Sequence, residues 1–273
     1  MNMKRLIALA LALVLSLALA ACGGSGAAPS PSASAPAESS AAPAESAPAE
    51  SASAESDLDY VKGKGALVIG YTVYAPMNYT DDNGEFTGFD TELAKAVCEK
   101  LGVEPQFQEI VWETKEIELA GKTIDCIWNG MTLDPEREAN MACTVPYVKN
   151  AQVVVMKADA DYADTSSLIG KSVCAEVGSA GETQILGNEE AKPDANLAQA
   201  DYVGKSVQTD CLMEVAAGTC DAAVLDMTLA NAMIGEGTDY AGLKIVDELA
   251  VENYGVAFRQ GSDVRDAVNE IFA

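Results

Sequence analysis

The chain has 273 residues, with 17 basic and 42 acidic side chains and a formal net charge of −25 at pH 7. Such a surface repels phosphate backbones and anionic lipid, so nucleic acid is excluded as a partner. The absence of histidine removes the commonest general base and the commonest metal ligand, and with them Ser-His-Asp hydrolases and most metal centres; neither metal nor cofactor is expected.

Lys4 and Arg5 precede an apolar run from Leu6 to Leu19, the length of a secretory signal core and too short to span a bilayer. Residues 1–21 are therefore expected to be a signal peptide and the rest of the chain extracytoplasmic. The run closes on Leu19-Ala20-Ala21-Cys22, which resembles the lipobox of bacterial lipoproteins. That resemblance implies a lipidated Cys22 anchoring the protein to the membrane; the plainer reading is an ordinary cleavage site beside a cysteine. From Gly23 to about Ser56 nearly every residue is Ala, Ser, Pro, Gly or Glu, too little apolar surface to offset chain entropy. Residues 22–57 thus read as a lipidated cysteine and a disordered tether.

About 215 residues remain, enough for one large or two small lobes with real cores. Leu67 to Gly70 predicts a short strand, followed by an irregular Tyr, Pro, Asn and Asp-rich stretch ending at Gly84. A helix is expected next, capped by Asp90, with Phe89, Leu93, Val97 and Leu101 as its buried stripe and Gly102 as its stop. Then come a strand (Gln106 to Ile110), a helix (about Glu113 to Ala120) and a strand (Ile124 to Trp128). A second unit runs from a strand at Lys171 to Ala175 through a helix near Thr183 to a strand near Val203. It continues with a helix at Thr209 to Ala217 and a strand at Ala222 to Leu225. Such alternation argues for mainly parallel sheets flanked by helices. The cysteines after Cys22 form no Cys-x-x-Cys pair and sit among apolar residues, which favours buried free thiols over disulfides.

The two units echo each other. Leu119 to Thr132 aligns with Val215 to Thr228: a helix ends at glycine, a turn carries Asp125 or Asp221, and an apolar strand delivers polar residues at its C-terminal end. That end is where open α/β sheets place ligands. Gln152 to Met156 and Val251 to Phe258 are the expected crossings between lobes, so residues 58–150 and 250–273 form lobe 1 and residues 151–249 form lobe 2.

Seven segments then carry a specific resemblance. They are Leu67 to Tyr79, Gly88 to Val103, Ile124 to Arg137, Val145 to Val155, Ser167 to Thr183, Cys220 to Asp226 and Tyr254 to Asn269. In order and spacing they resemble the polar amino acid family of periplasmic binding proteins serving ABC importers. The resemblance implies a monomeric two-lobed type II fold with two hinge strands, an amino-acid ligand, importer permease subunits as partners and no catalysis.

It also implies a site. Arg137 matches the family's carboxylate-binding arginine, with the Thr132 hydroxyl and the Gly130 main chain beside it; the plainer reading is a surface arginine paired with Glu136 or Glu138. Ser179 and Ala180, in the turn Gly178 to Gly181 before a helix, offer backbone N–H groups to an anion, or Ser179 is only a helix cap. Asp226 matches the ammonium-binding aspartate, its alternative being a helix N-cap. Tyr74 and Trp112 match rings that flank the ligand side chain, or belong to the core.

Two positions depart from the family pattern: Tyr71 where many relatives carry an acid, and Glu176 where many are neutral or basic. A second carboxylate facing an acidic ligand is costly, so a polar or cationic side chain is favoured. The alternatives are an enzyme on the same fold, cyclohexadienyl-dehydratase-like with Glu176 as acid or base, and a ligand-binding sensory module. Relatives continue past the helix at Asp266 to Ile271, so a shortened C-terminus is expected.

Overall fold

A computed structural model describes residues 56–273; the signal peptide, the Cys22 anchor and almost all of the tether lie outside the described residues. Ser56 accepts from Asp59 N to cap α1 (Asp57–Lys64), so regular structure starts at the end of the stretch assigned to the tether. The first sheet half contains β1 (Ala66–Tyr71), β4 (Glu104–Glu109) and β5 (Cys126–Thr132), with β1 parallel to both others. Between β1 and β4 come the hairpin β2 (Tyr79–Thr80) and β3 (Phe86–Thr87), then α2 (Phe89–Leu101); between β4 and β5 comes α3 (Lys115–Ala120). After β5 follow α4 (Pro135–Asn140) and the short β6 (Ala142–Cys143).

The chain leaves this half on β7 (Val148–Lys157) and builds the second half from β8 (Ser172–Glu176), α5 (Ala180–Leu186), β9 (Asp201–Lys205), α6 (Gln208–Ala217), β10 (Ala222–Asp226) and α7 (Met227–Met233). It returns on β11 (Leu243–Phe258) and ends in α8 (Val264–Phe272). β8 is parallel to β9 and to β10, while β7 and β11 pair antiparallel along most of their length. The strand order β4-β1-β5-β11-β7-β10-β8-β9 makes one sheet that runs through both halves, and β7 and β11 are the two crossings, longer than expected.

Each half is covered on both faces. Leu67, Ile69, Ala94, Val97, Val256 and Val268 pack α2 and α8 on one face of the first half, with Ile110, Leu119, Ile127 and Met131 under α3 on the other. In the second half Val153, Cys211, Val215 and Leu225 pack beneath α6, and Val154, Val173, Ile185 and Val224 beneath α5. The six cysteines among the described residues are free thiols, all buried except the partly exposed Cys143.

α2 departs from expectation in two ways. Its N-cap is Gly88, and Asp90 lies inside the first turn, wholly buried, accepting from Gly130 N at 2.7 Å and from Tyr147 Oη at 2.8 Å. The side chain is drawn inward because β5 presents an amide with no sheet partner of its own. Phe89 is exposed and stacks on Tyr147, and the face turned to the core is Thr91, Ala94, Val97 and Cys98. Asp125 and Asp221 hold strand starts: Asp125 accepts from Val68 N and pairs with Lys64 and Arg259, while Asp221 accepts from Ser172 N and Oγ.

Candidate ligand-binding cleft

β5 is buried at all seven positions, and its C-terminal end delivers Asn129, Gly130 and Thr132 to the edge of the first half. Gly130 has φ +56°, and a Cβ there would stand 2.7 Å from Tyr74 Cε1 and 3.0 Å from Tyr254 Cε2. Only glycine allows this turn of the strand against those rings. Asp134 then accepts from Arg137 N at 2.8 Å, with Pro135 at the first helical position, so α4 starts with Arg137 in its first turn.

Arg137 is 6% exposed. Its Nη1 donates to Thr132 O at 3.0 Å and its Nη2 to Gly178 O, in the second half, at 3.2 Å. Its carboxylate partner is Asp134 at 3.3 Å, not Glu136 or Glu138. A guanidinium has five N–H donors, so these contacts aim it without exhausting it. Lys115 Nζ, also buried, donates to the same Gly178 carbonyl at 3.0 Å and lies 4.8 Å from the Trp112 ring centroid. Burial first, and then Arg137, push its ammonium down to about 8.

On the facing wall, β8 ends at the buried Glu176. Ser179 Oγ accepts from Glu182 N at 3.2 Å and Gly178 N donates to Glu182 Oε2 at 2.8 Å, a reciprocal cap of α5. Ser179 therefore is the helix cap, and the amides with no partner inside the helix are those of Ala180 and Gly181. A Cβ on Gly181 would meet Val224 O at 2.6 Å, so glycine lets α5 start against β10.

Asp226 ends β10 at 5% exposure. It occupies the N-cap position of α7 but its side chain caps nothing. Instead Oδ1 accepts from Asn150 Nδ2 at 2.7 Å and Gln152 Nε2 at 2.6 Å, and Oδ2 accepts from Gln208 Nε2. Burial raises the Asp226 carboxyl. Burial, then Asp226, push Glu176 up to about 8, and its Oε1, like Gln152 Oε1, is a buried acceptor with no hydrogen-bond partner among the described residues.

These walls meet in one narrow polar cavity lined by Trp112, Asn129, Gly130, Thr132, Arg137, Glu176, Ser179, Ala180, Gln208 and Asp226. Of the ten residues the sequence singles out for ligand contact, eight line it and two do not. Tyr71 lies on the β1 face shared with Leu67 and Ile69, so its ring packs on Phe86, 4.7 Å between centroids, and on Phe107. Tyr74 lies behind Gly130, its Oη 2.6 Å from Tyr254 Oη, in the buried core and not as a flanking ring. Asn129, Gln208 and the supporting amides Asn150 and Gln152 escaped the sequence reading. The signal within reach was the echo of β5 and β10, since Asn129 lies one residue before Gly130 at the end of its strand.

Through Thr132 and Ala180 the cavity adjoins a wider cleft whose lining includes Leu133, Pro135, Gln184, Asn188, Val251 and Glu252. No helix among the described residues is long and apolar enough to cross a membrane.

Residues 67–273 match the bacterial extracellular solute-binding proteins, family 3. The chain is 29% identical over 210 residues to the arginine-binding extracellular protein ArtP of Bacillus subtilis, covering 76% of this chain and 80% of that one. Among solved structures, the arginine-bound truncated ArgBP from T. maritima superposes with TM-score 0.70 at 30% identity, over 78% of this chain and 98% of that one. An ancestral amino acid-binding protein described as a precursor of cyclohexadienyl dehydratase superposes with TM-score 0.68 at 28% identity, over 79% and 91%. The chain belongs to family 3 of the bacterial extracellular solute-binding proteins.

Proposed function

We propose that this protein captures a free amino acid with a cationic or polar side chain between its two lobes and delivers it to an ABC importer, held at the membrane by a lipidated Cys22. The observation that carries the reading is the charge arrangement across one cavity: the Arg137 guanidinium on the first lobe faces Asp226 and Glu176 on the second. A zwitterion's carboxylate meets Arg137 and the amides of Ala180 and Gly181, and its ammonium meets Asp226. The unpartnered Glu176 Oε1, in the cavity wall, calls for a further donor, which a guanidinium or ammonium side chain supplies. The relatives named for arginine support the same class.

Thermal shift across the common amino acids tests the reading: L-arginine and its cationic analogues raise the melting temperature in proportion to the logarithm of concentration, and acidic ones do not. Arg137→Ala loses about 100-fold in affinity by calorimetry with the fold retained; unchanged binding in that variant overturns the site. The dehydratase-like alternative draws on Glu176, held protonated near neutral pH as a general acid must be. Incubation with prephenate decides it, since a binding protein leaves the substrate intact.

A further inference from the structure

Behind the cavity a second acid stands beside Asp226. Glu252 lies on β11, opposite Asn150 of β7 in the strand register, and the two crossing strands turn Asn150, Gln152 and Glu252 toward Asp226. Asn150 Nδ2 donates to Asp226 Oδ1 and to Glu252 Oε1, both at 2.7 Å; Gln152 Nε2 donates to the same two oxygens at 2.6 and 2.9 Å. Two carboxylate oxygens that share both of their donors are close neighbours, and the donors are neutral amides. Thr228 N and Oγ1 donate to Asn150 Oδ1 at 3.0 and 2.8 Å, which fixes that amide with its NH2 toward the acids.

Among the described residues, the titratable and charged groups around the pair bring no cation into contact. They are Tyr254 on β11, Tyr74 from the loop after β1 with Asp90 of α2 beyond it, and Glu176 from β8; Arg137 and Lys115 act on Glu176 from across the cavity. Glu252 also lines the wider cleft that adjoins the cavity, so a solute reaches it.

We propose that Glu252 and Asp226 form a carboxylate pair that holds one proton between them, and that the ligand's α-ammonium displaces this proton on binding, which makes Glu252 a second anionic partner of that ammonium. Two ionised carboxylates at this separation without a cation repel strongly, and either a proton or an ammonium relieves the repulsion. The carboxyl O–H bond breaks, its electron pair stays on the carboxylate and the proton passes to solvent water; no other covalent bond changes. Burial, with Asp226 next, pushes Glu252 up to about 8, in line with that exchange near neutral pH. The shared proton belongs to the ligand-free protein; only its displacement rests on the amino-acid reading given above.

Two measurements test this. In the ligand-free protein carrying carboxyl-labelled glutamate, carbon NMR follows each acid from pH 5 to pH 10. The expected result is a glutamate titrating near pH 8 that disappears in Glu252→Gln while the one removed by Glu176→Gln remains. If every acid removed by Glu252→Gln is ionised by pH 5, the pair is refuted whatever the ligand. Calorimetry with L-arginine at pH 7, in two buffers of different ionisation enthalpy, then reads proton release: a substantial fraction of one proton in the wild type, close to none in Glu252→Gln. At pH 9, where the pair is ionised, Glu252→Gln binds arginine about tenfold more weakly. Arginine binding without proton release in the wild type overturns the displacement. Absence of any arginine binding overturns the ligand assignment, and the carbon titration still decides the pair.

Discussion

Asp90 shows how a single carboxyl is spent on geometry. Buried under the end of β5, it holds the Gly130 amide and the Tyr147 hydroxyl, and burial pushes it up to about 7 despite both bonds. Asp90, Glu176 and Glu252 all carry folded-state values near 7 to 8, above those of the unfolded chain. Between about pH 4 and pH 8 the folded protein therefore keeps protons that the unfolded chain has lost, and stability falls as pH rises through that window. Lys115 acts in the opposite sense above pH 8, because its folded value of about 8 lies below its ordinary one. The ligand-free melting temperature is expected to drop by roughly 5–10 °C from pH 5 to pH 8 and then to level or recover. Asp90→Asn flattens the part of that slope below pH 7, a change that scanning calorimetry across the range resolves.

At the scale of elements, the strand ends do the positioning, and the glycines there are tests of it. Gly130→Ala places a methyl against Tyr74 and Tyr254 at a left-handed backbone position, an expected cost of about 3 kcal/mol with weakened ligand binding. Gly63→Ala, in the exposed last turn of α1 with no atom near the added methyl, stabilises by up to about 1 kcal/mol. Urea unfolding of the two variants separates them. The elements were largely legible because β8 and β10 are short apolar runs that follow glycine-containing turns, and such runs report burial on both faces. Arg137 was singled out by the resemblance to the family and not by its neighbours, which alone read as a turn followed by a surface arginine. Glu252 was not: it lies between the exposed Val251 and Asn253, and only pairing of β11 with β7 sets that half-buried glutamate beside Asn150 and Gln152. Asp90 failed for the same reason, since a carboxylate at a helix start announces a cap unless a distant amide competes for it.

For the whole molecule, the contacts that span the cleft are polar and few. Gly178 O receives Arg137 and Lys115 from the first lobe, and at the rim Asn188 donates to Glu136. Bonds of this kind hold a closed form without an apolar seal, so closure is expected to depend on the solute that completes them. Spin labels at positions 136 and 188 are expected to report a broad distance distribution in the absence of solute and one short distance in saturating L-arginine. An unaltered distribution would show that the lobes do not move on binding.

The antiparallel ribbon of β7 and β11 is interrupted by register shifts between Ile245 and Asp247 and between Glu248 and Ala250, on the second-lobe side of Glu252. A bulged ribbon twists more readily there than along its regular stretch. Glu252, Asn150 and Gln152 thus ride on the axle, a few residues from its bulges, with Asp226 on the adjoining β10. Neutralising these groups is therefore expected to act on the axle itself, with no separate element needed to carry the signal from seat to jaws.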